Sequence, residues 1–155
     1  MLKPETFRFH SSAEVISHCS VQDYRRLRIW QKGHELALRV RAGTNRFPRT
    51  GYSSLKSQMT RSAESIVFNV VEGCGASSQK ELARFLEISI KSASELQYQL
   101  TLAAGYGVLG LEKLEELTAE TVDTRKMLCG LRAKVLSTLT HPVAPVTDNV
   151  LMEKL

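Results

Sequence analysis

At 155 residues the chain is long enough for one domain with a hydrophobic core. Aromatic residues make up only 6 %, while leucine, alanine, serine and glutamate are plentiful, which favours helices packed on helices over a β fold. No apolar run approaches the roughly 20 residues that cross a bilayer, and three widely spaced cysteines without a C-x-x-C pair exclude a zinc ribbon or a disulfide framework.

Residues 1–22 show no sustained periodicity and read as a flexible leader. Their opening, MLKPETFRFHSSAEV, has no apolar core of the kind a secretory signal needs, which predicts a cytoplasmic protein. His10, His18, His34 and His141 share no ligand spacing with each other or with Cys19, Cys74 and Cys129, so neither a metal nor a cofactor is expected. The three thiols read as reduced, small, semi-buried side chains.

The surplus charge lies in the next segment, 24–50. It holds eight basic residues (Arg25, Arg26, Arg28, Lys32, Arg39, Arg41, Arg46 and Arg49) against the single acid Glu35. Its net charge is +7, whereas the whole chain carries +5, so the remainder is slightly acidic. With Asp23 as N-cap, a first helix should run from there to about residue 46 and stop before Pro48. On an ideal helix Arg25, Arg28, Lys32, Arg39 and Arg46 fall within an arc of about 60°. Trp30, Gly33, Ala37, Val40, Thr44 and Phe47 form a separate stripe, expected to be the buried face. A basic arc of this kind fits nucleic acid, an acidic protein or a membrane surface, or is simply a solubilising face.

The second helix is expected over 54–72, ended by Gly73-Cys74-Gly75. It carries a seam of Leu55, Met59, Ser62, Ile66 and Gly73, flanked by a polar stripe of Gln58, Arg61, Ser65, Asn69 and Glu72. Ser78 and Glu81 make a capping box that opens a third helix, whose seam runs Leu82, Phe85, Ser89, Ser92, Leu96, Leu100 and Ala103. A fourth helix over 111–139 aligns Leu114, Leu117, Thr121, Thr124, Leu128, Leu131 and Val135 before Pro142 and Pro145. The expected fold is all-α, an antiparallel up-down-up-down four-helix bundle over 23–139, with a flexible tail over 140–155.

The polar stripe has two readings. Either it meets Ser92 and Glu95 of the third helix in a buried structural network, with an Arg61–Glu95 pair fixing helix register, or it lines an exposed ligand or partner groove. A third, catalytic reading would use Glu72 and Glu95 as an acid–base pair, but no nucleophile, metal-ligand set or phosphate loop accompanies them. No catalytic residue is assigned.

The run LKSQMTRSAESIVFNVVEG, residues 55–73, resembles the signature L-x-x-Q-x-R-R-A-x-x-S-I-P-x-N-I-A-E-G of the small bacterial four-helix bundle family found in intervening sequences of 23S rRNA genes. Leu55, Gln58, Arg61, Ser65, Ile66, Asn69, Glu72 and Gly73 stand where it asks. The flanks agree: Leu27 through Lys32 is similar to an opening L-x-V-W-Q-K, and Phe47-Pro48 to its F-P. Lys80-Glu81, Arg84-Phe85-Leu86, Ile88, Ser92, Glu95-Leu96 and Gln99-Leu100 follow its third-helix pattern. Thr60, Ser62, Val67 and Lys91 depart from it. Val67 in place of a proline predicts a straighter second helix, and Lys91 in place of a glycine predicts a looser helix contact there.

The resemblance implies a homopentameric ring with no enzymatic activity of its own. It also implies kinship to the accessory variability determinant, a basic pentameric barrel that partners the reverse transcriptase of diversity-generating retroelements and contacts nucleic acid. Beside it, the apolar positions Ile29, Leu36, Val67, Val71, Val108 and Leu109 lie off the main seams and could serve subunit contacts. The functional expectation is an oligomeric RNA- or DNA-binding adaptor contacting phosphates through Arg25, Arg28, Lys32, Arg39 and Arg46. The alternative is a protein-interaction scaffold, for example an accessory subunit of a reverse transcriptase. The low aromatic content argues for structured or duplex nucleic acid over stacked single strands.

Overall fold

The computed structural model describes residues 23–140; the expected leader, and the expected tail beyond Thr140, lie outside them. Four helices account for most of these residues: α1 Arg28–Thr44, α2 Ser53–Cys74, α3 Gln79–Gly105 and α4 Leu111–Thr140. The connections are short. Four residues join α2 to α3 and five join α3 to α4, and a stretch of five or so residues spans roughly 20 Å at most, against about 40 Å for a helix as long as α3. Each connection must therefore reverse the chain. The contacts agree: Ser65 meets Ser92, while farther along α2 Gly73 meets Leu82 and Phe85, earlier in α3.

Local chemistry explains the ends. The Ser78 hydroxyl accepts from the Glu81 backbone N–H at 3.2 Å, as a capping box requires. The Glu81 carboxylate, however, reaches back to Ser77, accepting from its backbone N–H at 2.8 Å and its hydroxyl at 2.9 Å. Those bonds hold the Glu81 carboxyl below its ordinary range. Gly51 and Gly107 take positive φ, at 91° and 71°, in the two turns at the opposite end of the bundle. With Val67 in place of proline, α2 is continuous over its 22 residues.

The first helix departs from expectation at its start. Asp23 caps a separate 3-10 turn, Tyr24–Arg26, its carboxylate accepting from the Arg25 N–H at 3.1 Å. Leu27 is then extended, and α1 begins only at Arg28. Its buried face is also rotated from the expected stripe. Ile29, Gly33, Leu36, Val40, Gly43 and Thr44 are buried, while Trp30 and Ala37 are only half-buried. The reason is that α1 lies in the groove between α2 and α4 and must turn one side to each.

The core layers follow the seams of α3 and α4. Leu86, Leu96, Leu100, Leu117 and Leu128 are fully buried. Thr121 and Thr124 are buried with them, the Thr121 hydroxyl donating to the Leu117 carbonyl at 2.6 Å. Of the six apolar residues set aside for subunit contacts, Ile29, Leu36, Val67 and Leu109 are buried within the single chain, and Val71 and Val108 are half-buried. The first four are core of the protomer, and Val108 packs against that core. Lys91 points into solvent, 73 % exposed and paired with Glu87 at 2.9 Å, so it does not separate α2 from α3. No helix among the described residues is long and apolar enough to cross a membrane.

Candidate nucleic-acid interface and the polar groove

The basic segment forms the 3-10 turn, α1 and the loop that follows. Arg25, Arg28, Lys32 and Arg46 are exposed, and among the described residues none of them forms an ion pair. The same holds for Arg26, Arg41 and Arg49.

Arg39 is different and leaves the expected set. One guanidinium nitrogen, Nη1, donates to Glu116 Oε1 and to Glu120 Oε1, each at 2.6 Å, and Lys113 donates to the other Glu116 oxygen at 2.7 Å. The spacing of residues within α1 carries no sign of this, because the two acids sit one turn apart on α4 and face α1. The charge of Arg39 is spent on holding α1 against α4. Lys113, and then Arg39, keep the Glu116 carboxyl below its usual value. A group whose folded pKa is depressed contributes stability above its unfolded pKa and loses it as pH falls through the folded one. Arg39→Gln should therefore lower the melting midpoint only slightly near neutral pH, since the pair is half-exposed. The difference from wild type should close as the pH falls through the lowered Glu116 pKa; thermal melts at neutral and at acid pH check it.

The polar stripe of α2 divides into an inner and an outer part. Inside, the Ser65 and Ser92 hydroxyls are 2.9 Å apart, and the Asn69 amide donates to the Ser65 carbonyl at 2.8 Å and to its hydroxyl at 3.1 Å. Ser89 donates to the Ile66 carbonyl at 2.9 Å beneath them. Outside, Gln58, Arg61 and Glu95 are exposed and stand at the rim of a groove of about 340 Å³, with Ser62, Ser65 and Ser92 at its floor. Glu72 is exposed farther along.

The expected Arg61–Glu95 pair does not form. Glu95 accepts instead from the Gln99 amide at 3.0 Å, and Arg61 makes no ion pair among the described residues. The cause is the small side chains. Serines at 62, 65, 89 and 92 let α2 and α3 approach so closely that the longer side chains are pushed outward to the rim. The stripe is thus a hydrogen-bonded serine–asparagine line beneath an open groove. One turn from the Ser65–Ser92 contact, Phe68 on α2 and Ile88 on α3 are also exposed, a feature the polar reading of the stripe passed over.

Chemistry at Glu72 and Glu95 is not supported by this placement. Glu95 lies level with Ser62, and Glu72 lies ten residues farther along α2, roughly 15 Å away on a helical rise. That is beyond the ~9.5 Å at which paired carboxylates flank one scissile bond. No cluster of His, Cys, Asp or Glu among the described residues could hold a metal ion. Cys74 is half-buried, which pushes its thiol pKa up, and Cys129 is exposed where a semi-buried side chain was expected.

A crystal structure of a protein of unknown function from the S23 ribosomal protein family of Bacteroides thetaiotaomicron has the same fold. It is 24 % identical, with a TM-score of 0.64 over 67 % of this chain and 97 % of that one. At that identity the likeness bears on fold alone. No curated protein matches the chain. The model of the family described as 23S rRNA-intervening sequence protein spans residues 25–130, from the basic segment through the α2–α3 contact and into α4, and the chain belongs to that family.

Proposed function

We propose that this protein is a cytoplasmic, non-enzymatic adaptor that binds nucleic acid and works as a homo-oligomer. The observation that carries this reading is the concentration of unpaired cations. Seven exposed basic residues of segment 24–50 have no acidic partner among the described residues, while the rest of the chain is slightly acidic. Such a segment attracts phosphates by counterion release, giving affinity that falls steeply with salt and carries little sequence information. A family named for an rRNA intervening sequence is consistent with such a partner. Assembly into a ring, five-membered as the family resemblance implies, draws support from the exposed Phe68 and Ile88 beside the groove. Light scattering at micromolar concentration should return a multiple of the 17.3 kDa chain mass.

The direct test is to replace Arg28, Lys32 and Arg46 by glutamine. All three are exposed, so the fold should survive, as a circular dichroism melt would show. Binding to structured RNA and to DNA should weaken together. The slope of log affinity against log salt should fall by roughly 0.7–0.9 for each lost contact. Unchanged affinity and slope would leave the basic segment to an acidic protein, and the scaffold reading, with a reverse transcriptase as one such partner, would replace this one.

A further inference from the structure

Three rings that are dispersed in the sequence are brought into one row by the fold. The 3-10 turn folds Tyr24 back on α1, held there by the Gln31 amide donating to the Arg25 carbonyl at 3.0 Å. Tyr24 then lies 5.3 Å from Trp30, tilted by 55°. One helical turn on, the His34 imidazole stacks on the indole at 5.0 Å and within 8° of parallel. A further turn along the same line is Leu38, 59 % exposed. His34 is exposed too, and Trp30 and Tyr24 are half-buried. The row runs between cations: Arg25 sits over the Tyr24 ring at 5.5 Å, Arg26 is next to it in the turn, and Arg41 follows Leu38 on the helix.

A near-parallel ring pair whose outer member, His34, is exposed and whose inner member, Trp30, is half-buried offers, with the exposed Leu38 beyond it, an apolar surface about one base wide. Arginines on both sides that form no ion pair among the described residues suit phosphates, not a neutral or basic partner. We infer that the Trp30–His34 pair is a stacking platform for an unpaired nucleobase of single-stranded RNA or DNA, with Arg25, Arg26 and Arg41 taking the flanking phosphates. The inference rests on the nucleic-acid reading above and narrows it to strands with unpaired bases. It reverses the expectation drawn from low aromatic content, since a platform needs its rings gathered, not numerous.

Trp30 is the single tryptophan of the chain, so its emission reports this site alone. Titrating the full chain with oligouridylate or oligothymidylate should quench that emission saturably, whereas a duplex should bind with little quenching. The RNA and DNA arms show which backbone is preferred. His34→Ala should weaken single-strand binding by roughly five- to hundredfold, in line with the loss of one stacked base, with duplex affinity unchanged. His34→Tyr should restore it. If single strands bind but neither quench Trp30 nor respond to His34→Ala, the platform is wrong and the phosphate reading stands. If neither single strands nor duplex bind at low salt, both fall. Equal quenching by polyglutamate would overturn the platform in favour of an acidic protein partner.

Discussion

Gly73→Val should destabilise the bundle by about 2–3 kcal/mol, near the upper end of what overpacking costs. A Cβ added at Gly73 would lie 2.9 Å from Leu82 Cδ1 and 3.3 Å from Phe85 Cβ. The Leu82 methyl is the end of a mobile side chain and can swing aside. The Phe85 Cβ is fixed to the α3 backbone and cannot. Alanine at this position would recover about 1 kcal/mol of helix propensity over glycine, which offsets part of the clash, so Gly73→Ala should be only mildly destabilising. Valine adds two branched methyls and no further propensity, and must push α2 from α3 at the end of the helix. Urea unfolding of the three proteins checks the order. A Gly73→Val protein as stable as wild type would mean that α2 and α3 do not meet there. By contrast, a Cβ at Gly33 would come no closer than 3.3 Å, to a methyl of the buried Val67 side chain.

The three longer helices were legible because their ends are chemically marked. Ser78 caps α3, glycines follow α2 and close α3, and the seams of α3 and α4 repeat at regular spacing. The first helix was harder to read. A 3-10 turn carries the same N-cap signal as an α-helix, so Asp23 announced a helix that begins five residues later. The buried face of α1 was displaced by roughly 40° in rotation, because small residues such as Gly33, Ala37 and Gly43 fit several faces and only the two neighbours, α2 and α4, decide between them. At the candidate site, the residue types on each face could be read from spacing. Their pairing could not. Arg39 meets acids 77 and 81 positions downstream, and the Arg61–Glu95 expectation failed on an interhelical distance set by four serines. The aromatic row escaped notice for the related reason that Tyr24 reaches Trp30 only through the turn that the helix reading had erased.

The clearest contrast in stability should come from Leu96→Ala against Arg61→Ala, two changes that remove large side chains from neighbouring helices. Leu96 is fully buried at the centre of the core, in α3 between Ser92 and Leu100. Removing its outer carbons forfeits their burial and leaves a cavity that the surrounding leucines can only partly fill, for a cost of about 2–5 kcal/mol. A midpoint drop on the order of 10 °C would follow for a domain of this size. Had Arg61 been buried against Glu95, its removal would have cost a comparable ~3–5 kcal/mol by stranding a desolvated carboxylate. In the structure Arg61 is exposed and Glu95 has Gln99 for a partner, so Arg61→Ala should stay within about 0.5 kcal/mol of wild type. Melts at two protein concentrations make the comparison sharper. An Arg61→Ala cost that grows on concentration would place the guanidinium in a contact between copies of the chain, since only assembly couples stability to concentration. A cost as large as that of Leu96→Ala and independent of concentration would instead mean that the groove closes over Arg61 within one chain.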